Sequence, residues 1–189
     1  LGIDWYNSNW DNVYRIERFN LNNNIYPLQL PASIGILDGL NEMQISGQFF
    51  GNIPSEIGNL INMYELSITN TQISGNIPSE IGNLSVLEYL YLSNNNLNGW
   101  IPSSIYSMQY LYDLYLENNN LTGFIHPEIC SWIGQCDRLL ILNGNQFCEP
   151  FNQCLTNLID DEWCLEMYNN IPAEECENYE VIDGEGYYN

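Results

Sequence analysis

Few side chains in this sequence are equipped for bond-making chemistry. There is one histidine, His126, there is no lysine, and the basic side chains are three arginines, Arg15, Arg18 and Arg138, against 24 acids. Proton transfer needs an acid and a base held in reach of one another, and His126 stands in a Gly-Phe-Ile-His-Pro turn with no such neighbour in the sequence. Carboxylates are plentiful, but paired carboxylates without a cleft do not make a glycosidase. Asp160, Asp161 and Glu162 form an acidic run that reads as a solvated face, or at most as a weak calcium contact. No catalytic residue, no metal site and no cofactor is therefore expected, and the chain is read as a non-enzyme. The other conspicuous set is aromatic: Tyr64, Tyr89, Tyr91, Tyr112 and Tyr115, interleaved with Glu65, Glu88, Asp113 and Glu117. Tyrosines join a large, fairly rigid apolar body to a polar tip, which suits recognition better than catalysis.

Charge narrows the partners. A net charge of −21 opposes nucleic acid and anionic membrane surfaces, both of which are bound through Lys and Arg. No apolar run reaches the length of a membrane span. The start at Leu1 rather than Met reads as a removed leader or a fragment. All six cysteines, Cys130, Cys136, Cys148, Cys154, Cys164 and Cys176, lie in the last third. An even number in a loop-rich stretch points to disulfides and an oxidising compartment; zinc is disfavoured by the lack of paired CxxC spacings. Pairing of sequence neighbours (130–136, 148–154, 164–176) is one of 15 arrangements that six cysteines allow. Two glycosylation sequons, Asn83-Leu84-Ser85 and Asn120-Leu121-Thr122, agree with a secreted or cell-surface chain, and Asn152-Gln153-Cys154 is a weaker match.

What positions these residues is an internal repeat. The unit Leu87–Ile105 (LEYLYLSNNNLNGWIPSSI) recurs twenty-four residues later at Leu111–Ile129 and twenty-four earlier at Met63–Ile81. Leu40–Ile57 is one residue shorter, Ile16–Ile34 is the earliest unit, and Asp137–Phe147 is a last partial one. The pattern resembles the plant-type leucine-rich repeat, LxxLxLxxNxLxGxIPxxIGxL, over roughly residues 16–147. Its GxIP element is intact at Gly51–Pro54, Gly75–Pro78 and Gly99–Pro102; Leu28 and His126 depart from it. The resemblance implies an α/β solenoid, a right-handed coil with short parallel strands on its concave face, 3-10 or loop segments on its convex side, and capped ends. It also implies the company of receptor ectodomains and polygalacturonase-inhibiting proteins.

The residues support that reading independently. In each unit the L-x-L alternation is a short strand, with Leu90 and Leu92 inward and Tyr89 and Tyr91 outward. Asn24, Asn95, Asn119 and Asn145 recur at one position, where a buried amide can satisfy backbone groups of adjacent turns; Gln48 and Thr71 replace it in two units and should do this less well. Gly75 and Gly99 permit a turn, and Leu60, Leu84 and Met108 fill the back of each coil. One coil cannot bury its apolar face alone, so the ends need covering. The expected division is a cap over 1–15, with Trp5, Trp10 and Val13, then a solenoid of five full repeats and a partial one over 16–147. A cysteine-bearing cap over 148–176 and an acidic tail over 177–189 follow. Plant relatives carry a cysteine pair in the first cap, and this chain has none there.

Solvent-facing strand positions then line the concave face, the usual contact surface of a solenoid. They are Tyr64, Glu65, Tyr89, Tyr91, Tyr112, Asp113, Tyr115, Arg138 and Ile141, with Glu17, Arg18 and Asn20 at the start. The expected function is a non-catalytic recognition module, extracellular or at the cell surface, taking protein, peptide or glycan on that tyrosine-rich face. Against this stands the reading that the tyrosines only stabilise the sheet as cross-strand pairs. A different class, a structural subunit assembling head to tail into a filament or matrix, also fits the composition, with the tail over 165–189 as a contact between copies. Ice binding is a third, remoter idea, opposed by a ladder of bulky Tyr and Glu.

Overall fold

The computed structural model describes residues 2–6, 15–126, 128–129, 132, 138–147, 179–182 and 185–188. The chain coils. Strands β2 (Arg15–Gln29), β3 (Glu42–Gly51), β4 (Glu65–Thr69), β6 (Tyr89–Tyr91), β8 (Asp113–Tyr115) and β10 (Leu139–Ile141) stack in parallel, one per coil. Register aligns Met43, Leu66, Leu90, Leu114 and Leu140, and all are between 0% and 1% exposed. Polar residues alternate with them because successive side chains on a strand point to opposite faces. The convex side is a stack of 3-10 turns, Ala32–Ile36, Ser55–Asn59, Ser79–Asn83 and Ser103–Ser107, each entered through a proline. The isoleucines Ile34, Ile57, Ile81 and Ile105 of those turns and the leucines of the strands share one continuous core, as the repeat predicts.

A second parallel ladder was not foreseen from the sequence. The end of β3 leads into β5 (Gln72–Asn76), β7 (Asn96–Gly99), β9 (Asn120–Gly123) and β11 (Gln146–Phe147), which form a lateral sheet. Its signal was present as period-two alternation, Gln72-Ile73-Ser74, Asn96-Leu97-Asn98 and Asn120-Leu121-Thr122.

The asparagine position holds each coil to its neighbours. Asn119 Nδ2 donates to Leu92 O (2.8 Å) in the previous coil and to Leu116 O (3.0 Å) in its own, while Oδ1 accepts from Leu97 N (3.0 Å). Asn145 repeats the pattern with Leu116 O, Leu142 O and Leu121 N, and Asn95 with Ile68 O, Leu92 O and Thr71 N. Thr71, buried in the preceding unit, meets Asn95 Oδ1 through its hydroxyl. One expectation fails here, at Asn24, and Gln48 serves the position less well, as its type implies. Asn24 bonds within its own turn, to Tyr26, because the first coil has no earlier parallel coil for its amide to reach back to. Gln48 is exposed and accepts from Gln72 Nε2 (3.0 Å), because the shortened unit has no residue to spare for the buried position. The residue before that position turns left-handed, at Asn23, Asn70, Asn94 and Asn118 with φ between 55° and 57°. Asparagine tolerates that conformation better than other side-chain-bearing residues.

At the N-terminal end β1 (Gly2–Tyr6) pairs antiparallel with β2. Within the acidic tail β12 (Tyr179–Ile182) and β13 (Glu185–Tyr188) pair antiparallel as a separate ribbon. The side chains of the proposed first cap, all six cysteines and the cap over 148–176 lie outside the described residues, as does the run Asp160–Glu162.

Candidate recognition surface

Register builds the face in rows. Glu65, Tyr89, Asp113 and Leu139 lie side by side, and so do Ser67, Tyr91, Tyr115 and Ile141. In the row before them, Tyr64, Glu88 and Tyr112 are joined by successive backbone bonds, Glu88 N to Tyr64 O and Tyr112 N to Glu88 O. Adjacent strands lie about 4.8 Å apart, close enough for rings on neighbouring strands to touch. Tyr64 meets Tyr89 edge-on at 5.6 Å between centroids, Tyr89 lies along Tyr91 at 6.2 Å, and Tyr91 meets Tyr115 edge-on at 4.9 Å. Four of the five predicted tyrosines thus form one contiguous cluster. Tyr112 stands at its margin, and Tyr64 and Tyr112 are the most exposed, at 38% and 36%.

The cluster is partly self-satisfied. Tyr91 Oη donates to Asp113 Oδ2 at 2.9 Å. Burial first, then that bond and the Asp113 charge, push the Tyr91 phenol well above its ordinary range. The Tyr89 phenol is raised by loss of water around it and then by Glu88, and the Tyr115 phenol by burial and then by Asp113. These phenols keep their protons at neutral pH, so they are donors and ring faces rather than bases. The ring contacts also give the cross-strand stabilising role a concrete form.

Towards β2 the face turns polar, a feature the alternation of Tyr and acid does not announce. Gln44 Nε2 donates to Glu65 Oε1 (2.8 Å) and Glu42 Oε1 (3.1 Å), and its carbonyl accepts from Asn20 (3.3 Å). Arg18 pairs with Glu42 at 3.1 Å. At the other end Arg138 is already engaged: Nη2 donates to Gln109 O (2.8 Å) and its guanidinium lies 5.3 Å from the Trp132 ring centre. Ile141 is half-buried beside Tyr115. His126 sits away from this face, stacked at 6.2 Å on the buried Tyr106 of the last 3-10 turn and 3.6 Å from Glu128. Among the described residues, no group of three or more His, Cys, Asp or Glu is placed to hold a metal ion, and no helix is long and apolar enough to cross a membrane. The sequons are exposed on other faces, Asn83 at the end of a convex turn and Asn120 on the lateral sheet.

Coiled parallel strands with a buried asparagine in three successive turns agree with a sequence profile described as Leucine Rich Repeat, which matches residues 62–84, 86–108 and 110–132. The fold is a leucine-rich-repeat solenoid. Among solved structures, this solenoid resembles the PEPR1–AtPEP1 complex at 32% identity and a TM-score of 0.70, over 76% of this chain and 20% of that one. A plant ice-binding protein is 31% identical with a TM-score of 0.67, over 71% and 44% of the two chains. The Arabidopsis receptor kinase HAESA, solved with the peptide hormone IDA and the co-receptor SERK1, is 28% identical with a TM-score of 0.67, over 75% and 24%. The solenoid therefore spans about a fifth, under half and about a quarter of these three chains. A comparison with curated proteins gave no match.

Proposed function

We propose that the chain is a non-catalytic extracellular recognition module that seats an extended segment of a protein or peptide across Tyr64, Glu65, Tyr89, Tyr91, Tyr112, Asp113 and Tyr115. The contiguous ring cluster on the parallel sheet carries this reading, since clustered aromatics that stay partly open to solvent on a solenoid face suit a contact surface. The HAESA complex with a peptide hormone and a co-receptor supports a partner of that class. Nothing on the described face pairs a nucleophile with a base, and its phenols are held protonated. Both sequons lie off this face, so glycans at Asn83 and Asn120 would leave it open. The test is selection of binders from a displayed peptide library, followed by Tyr89→Ala and Tyr91→Ala. Binders lost with either substitution support the reading; a pool that binds both variants as well as the parent removes it.

A second reading, ice binding, has one observation in its favour beyond the plant ice-binding relative. The lateral sheet presents Gln48, Gln72, Asn96, Asn120 and Gln146, all exposed and one per coil, with register setting the last four beside Phe50, Ser74, Asn98 and Thr122 in a staggered polar array. The bulky Tyr and Glu residues that oppose this reading stand on the other sheet. A glycan at Asn120 would occupy the array, so the reading requires that sequon to be empty. Unchanged ice recrystallisation in the presence of unglycosylated protein would eliminate it.

A further inference from the structure

We infer that the segment seated on the concave face presents arginine or lysine side chains to it, an inference that rests on the recognition reading above. Rings and acids alternate along two adjacent rows, Tyr64–Glu88–Tyr112 and Glu65–Tyr89–Asp113. Every carboxylate in these rows therefore has a ring on a neighbouring strand, and Glu88 and Tyr89 have the opposite type on both sides. A cation over a ring face within about 6 Å and against a carboxylate gains from both at once.

The acids of this patch lack cationic partners among the described residues. Among the described residues the one ion pair on the face is Arg18–Glu42, at its N-terminal end, and Arg138 bonds to Gln109 O and lies over Trp132. Asp113 and Glu65 receive bonds only from neutral donors, Tyr91 and Gln44. A neutral sugar could stack on the rings but would leave the charge unused. An acidic one would be repelled, as the whole chain carries −21.

The chain should be titrated calorimetrically at about 0.15 M salt, where screening beyond roughly 8 Å removes diffuse attraction. The probes are a blocked Gly-Arg-Gly-Arg-Gly-Arg-Gly peptide, the same peptide with citrulline for arginine, and cellopentaose. Citrulline keeps shape and donors but loses the charge. The arginine peptide should bind at least about tenfold more tightly than the citrulline one, a difference of about 1.4 kcal/mol. Glu88→Gln with Asp113→Asn should cost about tenfold. Glu56→Gln with Glu80→Gln, an equal charge change on the 3-10 side, should cost less than about twofold. Equal losses in the two double variants would reduce the effect to net charge and overturn the inference. So would equal binding of the two peptides, or binding of cellopentaose alone. Library binders that depend on Tyr89 but lack basic residues would overturn the inference and leave the recognition reading standing.

Discussion

Replacing Asn119 with alanine tests how the coils are joined. The side chain is 6% exposed and spans two coils through three bonds of 2.8, 3.0 and 3.0 Å. Alanine removes all three and orphans Leu97 N in a site that water cannot easily enter, while Leu92 O and Leu116 O each keep one bond, from Asn95 Nδ2 (2.9 Å) and Asn145 Nδ2 (2.9 Å). At about 1 kcal/mol net per bond the loss is about 3 kcal/mol, and the one desolvated orphan, Leu97 N, raises it toward about 4 kcal/mol. For a chain of this length that lowers the thermal midpoint by roughly 6–12 °C at the lower figure. Asn24→Ala is the internal control, because its amide bonds only within its own exposed turn, and the change should stay within about 0.5 kcal/mol. Asn119→Asp sharpens the test. It keeps the acceptor for Leu97 N but turns an oxygen toward two carbonyls, so the folded state should favour the protonated acid. A folded pKa raised above the unfolded value of about 3.9 means the variant's deficit is smallest below that pH and grows as pH rises through the folded value. Urea unfolding followed by circular dichroism gives each midpoint. If Asn119→Ala unfolds with Asn24→Ala, the interior amide does not join the coils and the reasoning fails.

Three further outcomes follow from the same geometry. Gly58→Ala would press its Cβ into Glu80 O and bring it within 2.7 Å of Glu80 Cβ, backbone and near-backbone atoms that cannot swing away, so the 3-10 turns must part. A loss of about 1–3 kcal/mol is expected in urea unfolding, and a neutral result would show that the convex stack is loose. Tyr91 and Tyr106 hold their protons above the ordinary tyrosine range, both chiefly through burial, while the unfolded chain releases them near pH 10. Their contribution is therefore intact below about pH 10 and lost above it. Phenolate absorbance should show these residues titrating only as circular dichroism reports unfolding, and full titration of a folded chain would contradict the assignment. Secretion from a eukaryotic host should add glycans whose mass disappears with Asn83→Gln and Asn120→Gln. An unmodified secreted chain would withdraw both sites.

The coil is legible in the amino-acid sequence because each unit repeats the same commitments. Leu66, Leu90 and Leu114 recur at one spacing and can be buried together only if the strands stack in register. The outward alternation of Tyr89 and Tyr91 follows from the same period. Asn95, Asn119 and Asn145 are also readable as interior residues, since a polar side chain fixed within an apolar repeat has work to do on the backbone.

Tertiary structure decided what depends on neighbours. Asn24 shares the preceding Leu-x-Asn run of Asn95 and Asn119 yet cannot reach a previous coil, and a one-residue deletion turned Gln48 out to the lateral array. The sequence named the tyrosines; only the packing of adjacent strands set which phenol donates to Asp113 and which carboxylates lack a cation. Periodicity fixes which side of a strand a residue faces. Partners across strands depend on register, coil length and the position of the ends, which no single repeat contains.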